Sequence, residues 1–63
     1  MTPQELLEQL EIYRFEERLS QEALAKALGV HFSTVNRWFV GKQLPNRMQQ
    51  YHIRKLLKSK GLM

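Results

Sequence analysis

Residues Ser20 to Gly41 read SQEALAKALGVHFSTVNRWFVG, and the fold of the whole chain turns on this stretch. Leu24, Ala25 and Leu28 share one helical face at the i, i+1, i+4 spacing, and Gly29 ends that run. Apolar Val30 follows, and Val35 and Trp38 open a second face three residues apart. Each residue type has a reason for its place. The small side chain of Ala25 lets another helix cross closely, while Gly29 takes the positive φ that a helix stop and a sharp turn require. Val30, Val35 and Trp38 then fill the wedge between two helices crossing at roughly 90–120°. Ser20 is the N-cap of a helix over Gln21 to Leu28; the next helix runs from about Phe32 to Val40, with Gly41 as its left-handed stop.

The stretch from Leu19 to Pro45 resembles the helix-turn-helix of the phage-repressor and Cro-like family, in which a small residue, a glycine and an apolar residue recur at these intervals. The resemblance implies an all-α fold: a small lambda-repressor-like domain of four helices, or five, filling residues 1–63 as one domain. It implies sequence-specific binding of double-stranded DNA, with the helix after the turn lying in the major groove. A small, repressor-like transcriptional regulator that needs no cofactor is the expected function.

Upstream, Thr2-Pro3-Gln4-Glu5 starts a first helix with a threonine N-cap, proline at the first helical position and glutamate three residues after the cap. Leu6, Leu10 and Tyr13 form its inward stripe, the helix ends near Glu17, and Leu19 is expected as a buried connector. Downstream, Leu44-Pro45-Asn46 sets a turn, and a fourth helix is expected over Arg47 to Lys58 with Ile53, Leu56 and Leu57 inward. Gly61-Leu62-Met63 is expected to fray.

At 63 residues the chain holds one domain at most, near the lower limit at which a helical core is stable without staples. It has no cysteine, which excludes disulfides and thiolate metal sites. No apolar run approaches a membrane span, and the start lacks the basic and apolar regions of a signal peptide. A cytoplasmic, nucleoid-associated protein of bacterial or phage type is expected, with no membrane and no small-molecule ligand. Charge is divided along the chain. All six acidic residues lie in the first 22 positions beside two arginines, giving −4; the rest carries eight Lys and Arg and no acid, giving +8 and a net charge of +4. Such polarity suits a small domain with one side on a phosphate backbone. A solvated basic tail accounts for Lys55, Lys58 and Lys60 equally well.

With Val35 and Trp38 inward, 100° per residue puts Ser33, Asn36, Arg37 and Val40 on the opposite face, with Phe32 at its leading edge. Asparagine can bond an adenine edge twice, arginine a guanine edge twice, serine either, and Phe32 or Val40 can touch a thymine methyl. Asn36 and Arg37 are the foremost candidates. The family resemblance also implies phosphate clamps: Gln21 at the amino end of the second helix, Lys42, Asn46 and Arg47 after the third, and Thr34 in its first turn.

The chain departs from the family in two places. Many relatives carry an acid and an asparagine before the glycine that closes the third helix, and the acid pairs with an arginine of the first helix. Here Phe39 and Val40 occupy those positions, so Arg14 is left to Glu17, Glu22 or water, and Phe39 is expected to join the core. Gln50 and Arg54 stand where relatives are apolar or small, which would mark a surface for a partner. A homodimer through the fourth helix and the C-terminal residues, using Leu56, Leu57, Leu62 and Met63, is the expected assembly on a palindrome. Trp38-Phe39 also occurs in homeodomain recognition helices, but Val40-Gly41-Lys42 ends the likeness.

His31 and His52 lie apart from each other and from any acidic cluster, so no metal site is expected. No nucleophile–base pair or inward carboxylate pair points to catalysis. Two other readings compete: a DNA-targeting N-terminal module of a larger protein, and a helix-turn-helix reused as a protein adaptor or antitoxin. The last predicts an apolar third-helix face, which Ser33, Asn36 and Arg37 are not.

Overall fold

Four helices cover most of residues 1–61, the part of the chain that the computed structural model describes: α1 (Pro3–Glu16), α2 (Gln21–Leu28), α3 (Phe32–Phe39) and α4 (Arg47–Ser59). No strand and no fifth helix occurs among the described residues.

Side-chain caps set where α1, α2 and α4 begin. The Glu5 amide donates to Thr2 Oγ1 at 3.1 Å and the Thr2 amide donates to Glu5 Oε1 at 2.8 Å, a reciprocal capping box behind Pro3. Hydrogen bonds to the Glu5 carboxyl from the Thr2 backbone, and to a lesser degree its side chain, hold it below its ordinary pKa. Ser20 Oγ accepts from the Ala23 amide at the start of α2. At α4, Asn46 and Gln49 form a second capping box, each side-chain oxygen accepting the other's amide at 2.8 Å.

Left-handed residues set where the first three helices stop. Gly29 (φ 71°) and Gly41 (φ 82°) follow α2 and α3 as the spacing predicts. At the end of α1 the same task falls to Arg18, at φ 55°. There the Leu19 amide reaches back to the Arg14 carbonyl (2.9 Å) and the Arg18 amide to that of Phe15 (3.2 Å), the paired bonds of a Schellman ending.

The core lies between the helices. Leu6, Leu10, Leu24, Val35, Ile53 and Leu57 are its fully buried side chains, joined by Leu7, Tyr13, Ala25, Leu28 and Trp38. α2 packs on α3 across the Gly29 turn, α4 closes the core against α1 and α2, and α1 touches α3. Leu19, Val30, Phe39 and Leu56 pack against this cluster from its edge.

Several expectations need correction. α3 ends at Phe39, with Val40 as its cap, and α4 runs one residue beyond Lys58. Leu19 is half-buried rather than buried. Leu57 has no exposed surface and Leu56 leans on the core, so this pair offers little to a second subunit; Leu62 and Met63, named with them and as a frayed end, lie outside the described residues. Gln50 is no partner surface either. It is half-buried, and its Nε2 donates to the Pro45 carbonyl at 2.9 Å, holding the turn against α4.

Candidate nucleic-acid interface

The outer face of α3 follows from what its inner face buries. With Val35 and Trp38 inside and Phe39 on the core edge, the opposite side falls on Ser33, Arg37 and Val40. Ser33 and Arg37 are exposed, and Val40 and Phe32 are 56% and 51% exposed. Asn36 and Thr34 sit a quarter-turn away on either flank and are half-buried.

Asn36 is positioned differently from the other expected base readers. Its Nδ2 donates to Gln21 Oε1 at 3.1 Å, joining the middle of α3 to the first turn of α2. The bond uses one asparagine donor and the glutamine oxygen; it leaves the Gln21 amide group and Asn36 Oδ1 as a donor and an acceptor at the α2–α3 cleft. Sequence periodicity does not show this pairing, because it crosses between two helices. Its one sign is that Asn36 follows Val35, at the border of the buried stripe.

The amino end of α3 has a distinct chemistry. His31 stands at the N-cap with extended backbone (φ −73°, ψ 149°), but its side chain makes no capping hydrogen bond. The first-turn amides of α3 are thus left without a side-chain acceptor beside Phe32 and Ser33.

Beyond α3 the chain folds back on itself. The Lys42 and Gln43 amides both donate to the Arg37 carbonyl, at 2.9 and 3.3 Å, which sets exposed Lys42 just past the carboxyl end of the helix. Arg47 is exposed at the first position of α4. Asn46, expected to hold a phosphate, spends its side-chain oxygen and its backbone N–H on the α4 capping box and keeps its Nδ2 for other contacts.

Arg14 settles elsewhere than at Glu17, Glu22 or water. Its Nη1 donates to the Leu19 carbonyl at 3.1 Å, and its guanidinium carbon lies 4.6 Å from the Phe15 ring centre and 5.5 Å from that of Phe39. Phe39 therefore does two things: it packs on the core edge, and it supplies a ring face to the arginine that an acid holds in many relatives. The contact of Phe15 with Arg14 is not visible in the helical pattern, which puts Phe15 on an outer face.

Fold and face together define a small all-α helix-turn-helix domain, with a short second helix seated on a first and its outer side open. A family model described as helix-turn-helix matches residues 10–47, from the middle of α1 to the start of α4. The chain belongs to this family, the phage-repressor and Cro-like helix-turn-helix proteins, which bind DNA in transcription regulation. Comparison with curated proteins and with solved structures returns no match. No helix of the described residues is long and apolar enough to cross a membrane.

Proposed function

We propose that the chain binds double-stranded DNA sequence-specifically and acts as a repressor-like regulator by occupying an operator. The observation that carries this reading is the exposed face of α3, where Ser33 and Arg37 stand between Phe32 and Val40 directly opposite the buried Val35 and Trp38. Laid in the major groove, that face offers Arg37 to guanine O6 and N7, Ser33 to either base type, and Phe32 and Val40 to thymine methyls.

Asn36 and Gln21 act as a unit in this reading. The asparagine fixes the glutamine oxygen, so the glutamine amide points its donors at a phosphate while Asn36 Oδ1 stays within reach of a base edge. Thr34, Lys42, Asn46 Nδ2 and Arg47 complete the phosphate contacts on the flanks, giving affinity without sequence preference. The work is done in the cytoplasm at the nucleoid and requires no cofactor.

One observation favours a protein partner instead: Phe32 and Val40 are both more than half exposed. Amide chemical-shift mapping during titration with a duplex separates the two readings. The DNA reading expects the largest shifts at Phe32, Ser33, Arg37 and Lys42, with α1 quiet; shifts confined to α1 or spread evenly over basic side chains would count against it.

A further inference from the structure

α1 has an outward stripe that the core does not use. Glu8, Ile12 and Phe15 recur at helical spacing on it, with Glu11 half-buried beside them; Phe15 is 62% and Ile12 46% exposed. Together with Leu7 and Phe39 they line a groove of about 370 Å³. It is apolar at its floor and acidic at its rim.

α4 has the complementary stripe. Met48 and Tyr51, 64% and 51% exposed, continue into exposed Arg54, Lys55 and Lys58, opposite the buried Ile53 and Leu57. The two stripes thus share an apolar stretch flanked by charge, and the charge has opposite sign.

We propose that the α1 groove of one copy takes the α4 stripe of a second copy, head to tail. Tyr51 and Met48 enter between Ile12 and Phe15, while Arg54, Lys55 and Lys58 face Glu8 and Glu11. Charge selects this pairing over the symmetric ones. Two α4 stripes facing each other would oppose Arg54, Lys55 and Lys58 to themselves, and two α1 grooves would do so with Glu8 and Glu11. Only the crossed arrangement sets opposite charges across the apolar strip. It is heterologous, so each copy keeps one face free and the contact adds further copies in a row.

The contact is small. A stable complex of standard size buries about 800 Å² per partner, close to a fifth of the 4395 Å² surface of this chain. Two short helical stripes offer less, so the dissociation constant is expected between about 1 µM and 1 mM. Its charge makes it salt-sensitive. The contact is expected to form without DNA: Ser33, Arg37 and Lys42 lie outside both stripes, and Arg47, a proposed phosphate contact, borders the α4 stripe beside Met48 and Tyr51.

Sedimentation velocity of the chain over rising concentration, at about 50 mM and about 500 mM salt, tests this. The weight-average mass is expected to rise above the 7.5 kDa monomer, pass the dimer without a plateau, and fall back at high salt. Glu8→Lys with Glu11→Lys removes one face, and Arg54→Glu with Lys58→Glu removes the other. Each double variant alone is expected to associate at least tenfold more weakly. Mixed in equal amounts they are expected to regain association and again to grow past the dimer, since the two intact faces pair with each other and the two charge-reversed faces are complementary as well. Ile12→Ser, which changes only the apolar strip, is expected to weaken association as well, and helicity by circular dichroism checks that all variants are folded. A monomer at every concentration would overturn the proposal. So would a closed dimer, or association that either charge variant leaves unchanged.

Discussion

Asn36 and Gln21 lie 15 residues apart in sequence and are joined by a 3.1 Å hydrogen bond from Nδ2 to Oε1. This bond ties α2 to α3 on the side of the cleft that the proposed DNA interface faces. Two residues expected to act separately, one on a base and one on a phosphate, therefore share an orientation. Removing either is expected to weaken operator binding, and the double variant Gln21→Ala/Asn36→Ala is expected to lose less than the sum of the two. A coupling of about 0.5–3 kcal/mol is expected between groups in one hydrogen-bond network. Binding titrations of the four proteins on one duplex measure it; strict additivity would mean that the bond plays no part in recognition.

Arg37 and Lys42 are expected to separate base reading from backbone holding. Arg37→Ala should cost about 1–3 kcal/mol at a single base pair and relax preference there. Lys42→Ala should weaken all duplexes alike and reduce the salt slope by about one. Competition binding over a set of single-base variants at several salt concentrations shows which pattern each substitution follows.

Arg18 ends α1 in a conformation that costs an L-residue roughly 1–2 kcal/mol relative to glycine. Its φ of 55° comes with both Schellman hydrogen bonds, so Arg18→Gly keeps the ending and relieves the strain. A gain of about 1 kcal/mol is expected, or roughly 4–8 °C in Tm for a domain of this size. Arg18→Ala should give no such gain. Thermal unfolding followed by circular dichroism decides it.

Arg14 joins the end of α1 to Leu19 by a hydrogen bond and lies against the Phe15 and Phe39 rings. Arg14→Ala is expected to destabilise the fold by about 2 kcal/mol from the charge-assisted bond and the ring contacts together. Arg14→Lys should recover little, because an ammonium has no planar group to lay on the two rings. Urea unfolding of the three proteins gives the comparison.

Glu5 gives the capping box a pH dependence. Hydrogen bonds from Thr2 lower its pKa in the folded chain, so its contribution is complete above the ordinary carboxylate pKa and is lost as pH falls through the lowered value. Glu5→Gln keeps an acceptor for the Thr2 amide without the charge. The variant is expected to show a shallower loss of stability between about pH 5 and pH 2 than the parent chain; equal slopes would contradict the assignment.

The helix starts and the α2–α3 turn were legible because they are local. Thr2, Ser20 and Asn46 satisfy amides three residues away, and Gly29 and Gly41 free a φ that few other residues take. Features that carry no residue-type signature, or that join distant segments, were not legible. Arg18 has no glycine to announce a left-handed stop, and only the return of the Leu19 amide to Arg14 shows it. Gln50 looked like a polar intrusion on an apolar helix until its bond to the Pro45 carbonyl gave it a structural task. Leu57 is expected from its spacing both in the core and in a dimer contact; α1 and α2 enclose it, so only the first holds. On the candidate interface, periodicity set the exposed Ser33, Arg37 and Val40 opposite Val35 and Trp38. It could not show that Asn36, on the flank, is claimed by Gln21.

Selection from a random-sequence duplex library at two salt concentrations tests the central claim, that the outer face of α3 reads a DNA sequence. An enriched motif is expected, with affinity falling at a log–log slope of about −4 or steeper if roughly five phosphates are neutralised. Absence of binding even at low salt, or binding with no sequence enriched, would contradict it.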